Sequence, residues 1–260
     1  MYTQPHTLGD FLTWDTLYLL GYHFHAMLGF AYMYLAWKDR MSPKAVPNFI
    51  KNDNSLFLVD AFVIENSVFL IAFIFACIFG KSEMGRFGSV LLLSDMIVTF
   101  AFIPTGTVYS HHCVLIQDVA LRLIRNTIIA LYLSTYNCMM VQDVWLGKMD
   151  IFNVVVGLGL FFFGLKKKME NHKVTSEFPF NLDPRIMGAS AFEYCTSPDF
   201  FGELLQWIGY HVVCGSTVSM GFALYKCQVA MGNAYMRHVW YMRNNPRYPK
   251  KRAIIIPHFF

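Results

Sequence analysis

Carboxylates embedded in apolar sequence are the residues of this chain with the most chemistry to offer. Glu203 and Tyr210 lie near the start of the long apolar block Asp199–Met231. Glu65 lies in the middle of the block Leu56–Gly80, and Asp95 in the block Phe87–Pro104. A charge inside hydrocarbon is expensive, so an acidic residue there marks a candidate functional site. Such a group is either ion-paired or neutral, and a neutral carboxyl donates a hydrogen bond. Arg122 and Arg125 sit inside another apolar block, Cys113–Val141, and either is a reasonable partner for Glu65. A basic group, Arg247, Lys250, Lys251 and Arg252, follows the last apolar block, and the chain then closes on Ile-Ile-Ile-Pro-His-Phe-Phe. Ending on apolar residues suggests a terminus tucked into protein or lipid.

The elements that must position these groups are helices in a membrane. The 260 residues are 55% hydrophobic, 17% aromatic and only 15% charged, against about a quarter charged in a soluble domain. Mean hydropathy is +0.39. The expected fold is all-α and polytopic, a single membrane domain over residues 1–260. No basic patch interleaved with aromatics is present, which excludes nucleic acid as a partner. Apolar blocks at Phe11–Trp37, Leu56–Gly80, Phe87–Pro104, Cys113–Val141, Ile151–Leu165 and Asp199–Met231 predict six or seven spans, since one span takes about 20 residues. The last block is long for one helix, and Gly215-Ser216 is the expected break. Loop charge prefers seven. With seven spans, 15 Lys and Arg fall on one side and 3 on the other, leaving out Arg122, Arg125 and Lys226. With six spans the two sides are equal. The positive-inside rule then puts the N-terminus outside and the C-terminus inside. Residues Met1–Asp10 are polar and lack the features of a cleavable signal, so the first span is expected to serve as signal anchor. Asn171–Pro198, with Pro179, Pro184 and Pro198, is expected to be an irregular loop.

Other clusters offer less. Six cysteines form no C-x-x-C and read as small hydrophobes in helices. His23 and His25 lie two apart, which turns their rings to opposite sides of a helix, and His111-His112 stands alone. Four such histidines do not make a metal box, so no metal site is expected.

Three C-terminal motifs carry a family resemblance. They are F-G-E-x-x-x-W-x-G-Y at Phe201–Tyr210, W-Y at Trp240–Tyr241, and Y-P-K-x-R-x-x-x-I-P-x-x-F at Tyr248–Phe260. Together they resemble the signature of the steroid 5α-reductases, membrane enzymes that use NADPH to reduce a carbon–carbon double bond conjugated to a ketone. The reductase-like segment covers about residues 151–260, its motifs falling in the last quarter of the chain. The resemblance implies a seven-helix membrane fold, NADPH as cofactor, a 3-oxo-Δ4 steroid or similar enone lipid as substrate, and the endoplasmic reticulum as location.

It also implies roles for particular residues. Glu203 matches the glutamate that hydrogen-bonds the cofactor, and Tyr241 a tyrosine that faces it. Asp199 stands where the family has asparagine. Arg237 and His238 occupy the place of a histidine pair, and Arg237 is either a phosphate ligand or a helix-end arginine snorkelling to water. Lys173 stands in for a family arginine. Lys166–Lys168 are either phosphate ligands or a stop-transfer cluster. Glu65 matches the glutamate of the substrate end. The family's third span carries the tyrosine that donates to the ketone, but Leu91–Pro104 contains no tyrosine, histidine or arginine. Asp95 is its only ionisable group, and as a neutral acid it would be the donor. Catalysis is therefore expected of Glu65 and Asp95. Cofactor binding is expected of Glu203, Tyr241, Asp199, Arg237, His238 and Lys173. The alternative is a catalytically silent accessory subunit of a larger membrane complex, for example in the mitochondrial inner membrane.

Overall fold

The computed structural model describes residues 14–38, 55–80, 83–102, 113–139, 151–176, 190–249 and 251–256. These residues form seven α-helices: α1 Trp14–Trp37, α2 Leu58–Phe79, α3 Glu83–Phe102, α4 Ile116–Met139, α5 Ile151–Ser176, α6 Pro198–Cys214 and α7 Thr217–Asn244. Two three-residue strands, β1 Ser55–Phe57 and β2 Cys113–Leu115, pair antiparallel and tie the starts of α2 and α4 together. A short 3-10 turn, Ser190–Glu193, precedes α6. His111-His112 and most of the expected loop after Ser176 lie outside the described residues.

The long last block does break at Gly215-Ser216. Gly215 takes φ 60°, the left-handed conformation that glycine adopts without Cβ strain, and its N–H closes α6 on the His211 carbonyl. Ser216 then opens α7 with a capping box shared with Ser219. A 17-residue helix and a 28-residue helix result, and the described residues thus form seven. In contrast, α5 does not stop at Leu165. Lysine is a good helix former, and the helix runs on through Lys166–Lys168 to Ser176.

Helix α5 packs most closely on α6. Gly157 and Gly164 lie seven residues apart, two turns of helix, as do Gly202 and Gly209 on the antiparallel neighbour. A Cβ at Gly202 would come within 2.8 Å of the Gly164 carbonyl, and one at Gly209 within 2.5 Å of the Phe161 amide nitrogen. Small residues at such a contact let two helix backbones approach where lipid gives no hydrophobic drive. Around this pair, one apolar core joins Phe69 and Phe73 of α2, Leu92 of α3, Ile129 of α4, Phe161 of α5, Trp207 and Tyr210 of α6 and Phe222 of α7. Trp207, Tyr210 and Phe222 meet edge to face. Helix α1 lies along α7, and α2 contacts both α3 and α4. Large apolar side chains such as Ile71, Ile78, Leu121 and Phe152 face outward. Among the described residues, Asp60–Phe79 is the stretch long and apolar enough by composition alone to cross a membrane.

The chain's last described residues dock on the start of α6. Cys195 and Ala253 form a parallel bridge, and the amides of Thr196 and Ser197 donate to the carbonyls of Ala253 and Ile254 at 2.9 Å. Ile255 is buried to 1% exposure, as expected of an apolar ending. Pro257–Phe260 lie outside the described residues. Burial also pushes the Cys195 thiol up to about 11.

Two outcomes follow from this packing. Gly202→Val should separate α5 from α6 and cost about 1–3 kcal/mol, read as a lower midpoint of thermal unfolding in detergent, with Gly159→Ala, which meets open space and should not lower the midpoint, as the control. Ile255→Asp should undock the tail. Cys195, protonated and slow to alkylate at pH 7 in the native protein, should then react with maleimide at the rate of an open thiol.

Candidate functional site

The interior holds a cluster of ionised groups contributed by different helices. Asp95 on α3 is 2% exposed. Lys168 of α5 approaches its Oδ1 to 2.7 Å, and Gln206 Nε2 of α6 donates to the same oxygen at 2.8 Å. Thr99, one turn along α3, lies 3.4 Å from the Lys168 ammonium. Asp95 was expected to be a neutral hydrogen-bond donor. The structure makes it an acceptor of two donors, one of them cationic, an arrangement that favours the carboxylate. The three lysines divide accordingly: Lys166 and Lys167 reach Glu170 at 3.8 and 2.8 Å, while Lys168 turns inward. Successive helix positions turn by about 100°, since a turn holds 3.6 residues, so three adjacent lysines cannot share one face.

Glu203 sits one turn before Gln206. It is half-buried, and Trp207 Nε1 lies 3.4 Å from its Oε1. Its charge acts on Lys168 and on Lys226 of α7. The Lys226 ammonium lies over the Trp207 ring at 5.0 Å and the Phe222 ring at 5.4 Å, a cation–π seat. Among the described residues, cations acting on Glu203 include the helix lysines Lys168 and Lys226. Arg252 of the basic tail reaches the Cys195 carbonyl at 3.5 Å. Gln206 is wholly buried, and its Oε1 has no donor. Glu203 and Gln206 therefore present two acceptors on one stretch of α6.

The Glu65 end is built from α2 and α4. Arg122 pairs with Glu65 at 3.4 Å, one of the two partners expected. Asn126 donates to the Glu65 backbone carbonyl at 2.9 Å and accepts from Arg125 at 3.1 and 3.3 Å. Tyr32 of α1 donates to Asn233 of α7 at 2.5 Å, and its hydroxyl lies within reach of the charges of Arg122, Arg125 and Glu203.

The remaining expected residues gather where α6 and α7 meet the tail, and they largely satisfy one another. Arg237 makes a two-pronged pair with Asp199, at 2.7 and 3.0 Å, and lies over the Phe200 ring at 4.8 Å. The acidic exchange at 199 thus comes with a basic partner at 237. His238 Nδ1 lies 2.6 Å from the Tyr248 hydroxyl, which also meets Thr196. Tyr241, 1% exposed, stacks on Tyr248 with centroids 5.5 Å apart. Lys173 is exposed near the end of α5. His25 is buried against Tyr132 while His23 faces out, as a two-residue helical offset dictates.

Sequence reasoning missed three members of the interior cluster. Lys168 was read only within the Lys166–Lys168 cluster, and Lys226 was left out of the loop-charge count. Gln206 passed unnoticed, although a polar amide three residues after Glu203 in an apolar run was a usable signal.

The fold and these groups define a helical membrane protein with an ionised interior assembled from most of its helices. A family model described as 3-oxo-5-alpha-steroid 4-dehydrogenase matches residues 110–260. The human 3-oxo-5-alpha-steroid 4-dehydrogenase 1 is 30% identical over 131 residues, 50% of this chain and 49% of that protein. The steroid 5-alpha-reductase DET2 of Gossypium hirsutum is 35% identical over 77 residues, 29% of this chain and 30% of that one. DET2 of Arabidopsis thaliana is 37% identical over 67 residues, covering 25% and 26%. The aligned region spans about half the length of the human relative and less of the plant ones. The chain belongs to the 3-oxo-5-alpha-steroid 4-dehydrogenase family, as the C-terminal motifs led one to expect.

The Asp95–Lys168 pair yields a stability outcome. Asp95→Ala should cost about 3–5 kcal/mol, because it leaves a desolvated ammonium without its counter-charge. Adding Lys168→Met should recover most of that loss. Chemical unfolding of the single and double variants in the same detergent measures both, and additive losses would show that the two charges are not coupled.

Proposed function

We propose that this protein is an NADPH-dependent reductase of an enone lipid of the 3-oxo-Δ4 steroid type, acting in the endoplasmic reticulum membrane. The observation that carries this is the α6 stretch that holds the family glutamate. Glu203 and the donorless Gln206 Oε1 lie one turn apart in the interior, beside Lys226. A carboxamide supplies an N–H donor of the kind the buried Gln206 oxygen lacks, so this end of the interior fits a nicotinamide. Glu203, Gln206 and Lys226 would hold that ring. Arg237, His238, Tyr241 and Asp199 would frame the remainder by fixing the tail, and Lys173 offers a phosphate a point charge. Bound there, the dinucleotide supplies hydride. The chain's own residues orient the two reactants, exclude water and stabilise charge on the ketone oxygen.

The names of the matched relatives support a reductase over an accessory subunit of a membrane complex. The positive-inside count supports a C-terminus on the cytosolic side, where the cofactor would enter.

The test is direct. Purified protein is titrated with NADPH by fluorescence, and NADPH oxidation is then followed with a panel of enone steroids. Binding with turnover is expected. Glu203→Ala and Gln206→Leu should each weaken NADPH by about tenfold or more, the equivalent of roughly 1.4 kcal/mol. Tight binding without turnover on any enone would reject the reductase, and no binding at all would reject the cofactor site.

A further inference from the structure

We infer that the junction of α1, α4 and α7 is a subsite for the hydroxyl group of a sterol-like lipid, received by His25 Nε2 and Gln228 Oε1. This rests on the reductase reading above and narrows its substrate class to an enone lipid that carries an alcohol away from the enone.

The two helices that supply these atoms run side by side and parallel. Tyr22 meets Gly221, Gly29 meets Gln228, and Tyr32 meets Gly232, so residue numbers climb together on both. His25 falls at the level of Tyr225, the two rings 6.0 Å apart. It also stacks on Tyr132 of α4 at 4.9 Å. Gln228 comes three residues after Tyr225, and Gly29 four after His25. A Cβ at Gly29 would come within 2.8 Å of the Gln228 carboxamide carbon, so the bare backbone there admits the amide. In parallel helices the side chains lean the same way. The imidazole and the carboxamide are therefore about one helical turn apart on one seam, roughly 5 Å.

His25 is 2% exposed and Gln228 7%. Among the described residues, neither His25 Nε2 nor Gln228 Oε1 has a hydrogen-bond partner. A polar atom orphaned in an apolar interior is destabilising until a partner reaches it. The local chemistry says which kind of partner. His25 Nδ1 lies 2.6 Å from the Gly21 carbonyl. A carbonyl only accepts, so Nδ1 carries the hydrogen, and in the neutral ring Nε2 holds the lone pair. The Gln228 oxygen is an acceptor as well. The subsite thus offers acceptors and takes a donor. An alcohol O–H satisfies it, whereas a ketone at the same place would set lone pair against lone pair.

The surroundings select the body that carries the alcohol. Tyr132 and Tyr225 flank the imidazole. Leu28 and Val229, next in sequence to Gly29 and Gln228, pack on the apolar core. Phe24 and Met27, on either side of His25 in sequence, face outward. Such walls suit a rigid apolar lipid with a hydroxyl and give a sugar or a free ion too few polar partners.

The test uses the full chain in phosphatidylcholine nanodiscs without sterol. Testosterone, a 3-oxo-4-ene steroid with a hydroxyl at its far end, and androstenedione, the same skeleton with a ketone there, are titrated separately without cofactor and followed by tryptophan fluorescence. Wild type should bind testosterone about tenfold more tightly. His25→Phe keeps the ring stack and Gln228→Met keeps the volume. Each should cut the preference, and the double variant should erase it. Gln228→Met should also keep the ligand-free thermal midpoint, because removing an orphaned acceptor breaks no bond. A lost preference that comes with a lower midpoint is a packing effect and overturns the subsite. Equal affinity for the two steroids in wild type, or a preference that survives the double variant, overturns it too. Cholesterol, which has the hydroxyl and no enone, is the third probe. Its displacement of testosterone from wild type but not from the double variant would assign the hydroxyl site to a membrane sterol and overturn the substrate assignment. A His25-dependent preference for the alcohol in a chain that oxidises no NADPH would sink the reductase reading and leave the hydroxyl subsite standing, so the two fail separately.

Discussion

The contact on which the rest of the bundle depends is the ion pair between Asp95 and Lys168. Each charge would cost several kcal/mol if buried alone, and their attraction offsets that cost only with close geometry and further hydrogen bonds. Those conditions are met from three helices. Asp95 and Thr99 come from α3, Lys168 from α5 and Gln206 from α6. The glycines of the α5–α6 seam are part of the same requirement. A Cβ at Gly164 would stand 2.5 Å from the Gln206 backbone nitrogen, so only a bare backbone there lets Gln206 sit beside the pair. Helix packing and charge pairing are one constraint seen from two sides.

From this anchor the polar interior extends in two directions. Toward the tail, Glu203 and Lys226 continue the alternation of charge. Beyond them, Asp199–Arg237 and His238–Tyr248–Thr196 close the structure with partners of their own. Toward α2 and α4, Glu65–Arg122 and Asn126 form a second paired group. Most charges in the core meet an opposite charge at close range. Among the described residues, Lys226 and Arg125 do so least, the first lying over the Trp207 and Phe222 rings and the second held by Asn126. Cations held in a low-dielectric interior without a carboxylate at contact distance are suited to meet charge that a ligand brings or that a reaction creates.

The C-terminal strap gives this interior a floor. Ile255 is buried and the backbone of Thr196 and Ser197 is bridged to Ala253 and Ile254. The start of α6, and with it Glu203, is therefore held by residues from the far end of the sequence. A motif that looks like a binding signature is here a packing element.

Much of the architecture was legible in residue order. The apolar blocks marked the helices, Gly215-Ser216 marked the break that makes seven, and Glu65 inside its block demanded the arginine that it has. These are local matters: turn chemistry, hydropathy over about 20 residues, and the cost of one buried charge. The assignment of partners was not legible. Lys168 meets Asp95 across 73 positions, Gln206 meets it across 111, and Arg237 meets Asp199 across 38. Sequence pattern records that a charged residue must be answered, since burial without an answer is unaffordable in free energy. Which residue answers it, and so whether Asp95 is a donor or an anchor, depends on which helices lie side by side, and only the packed bundle decides that.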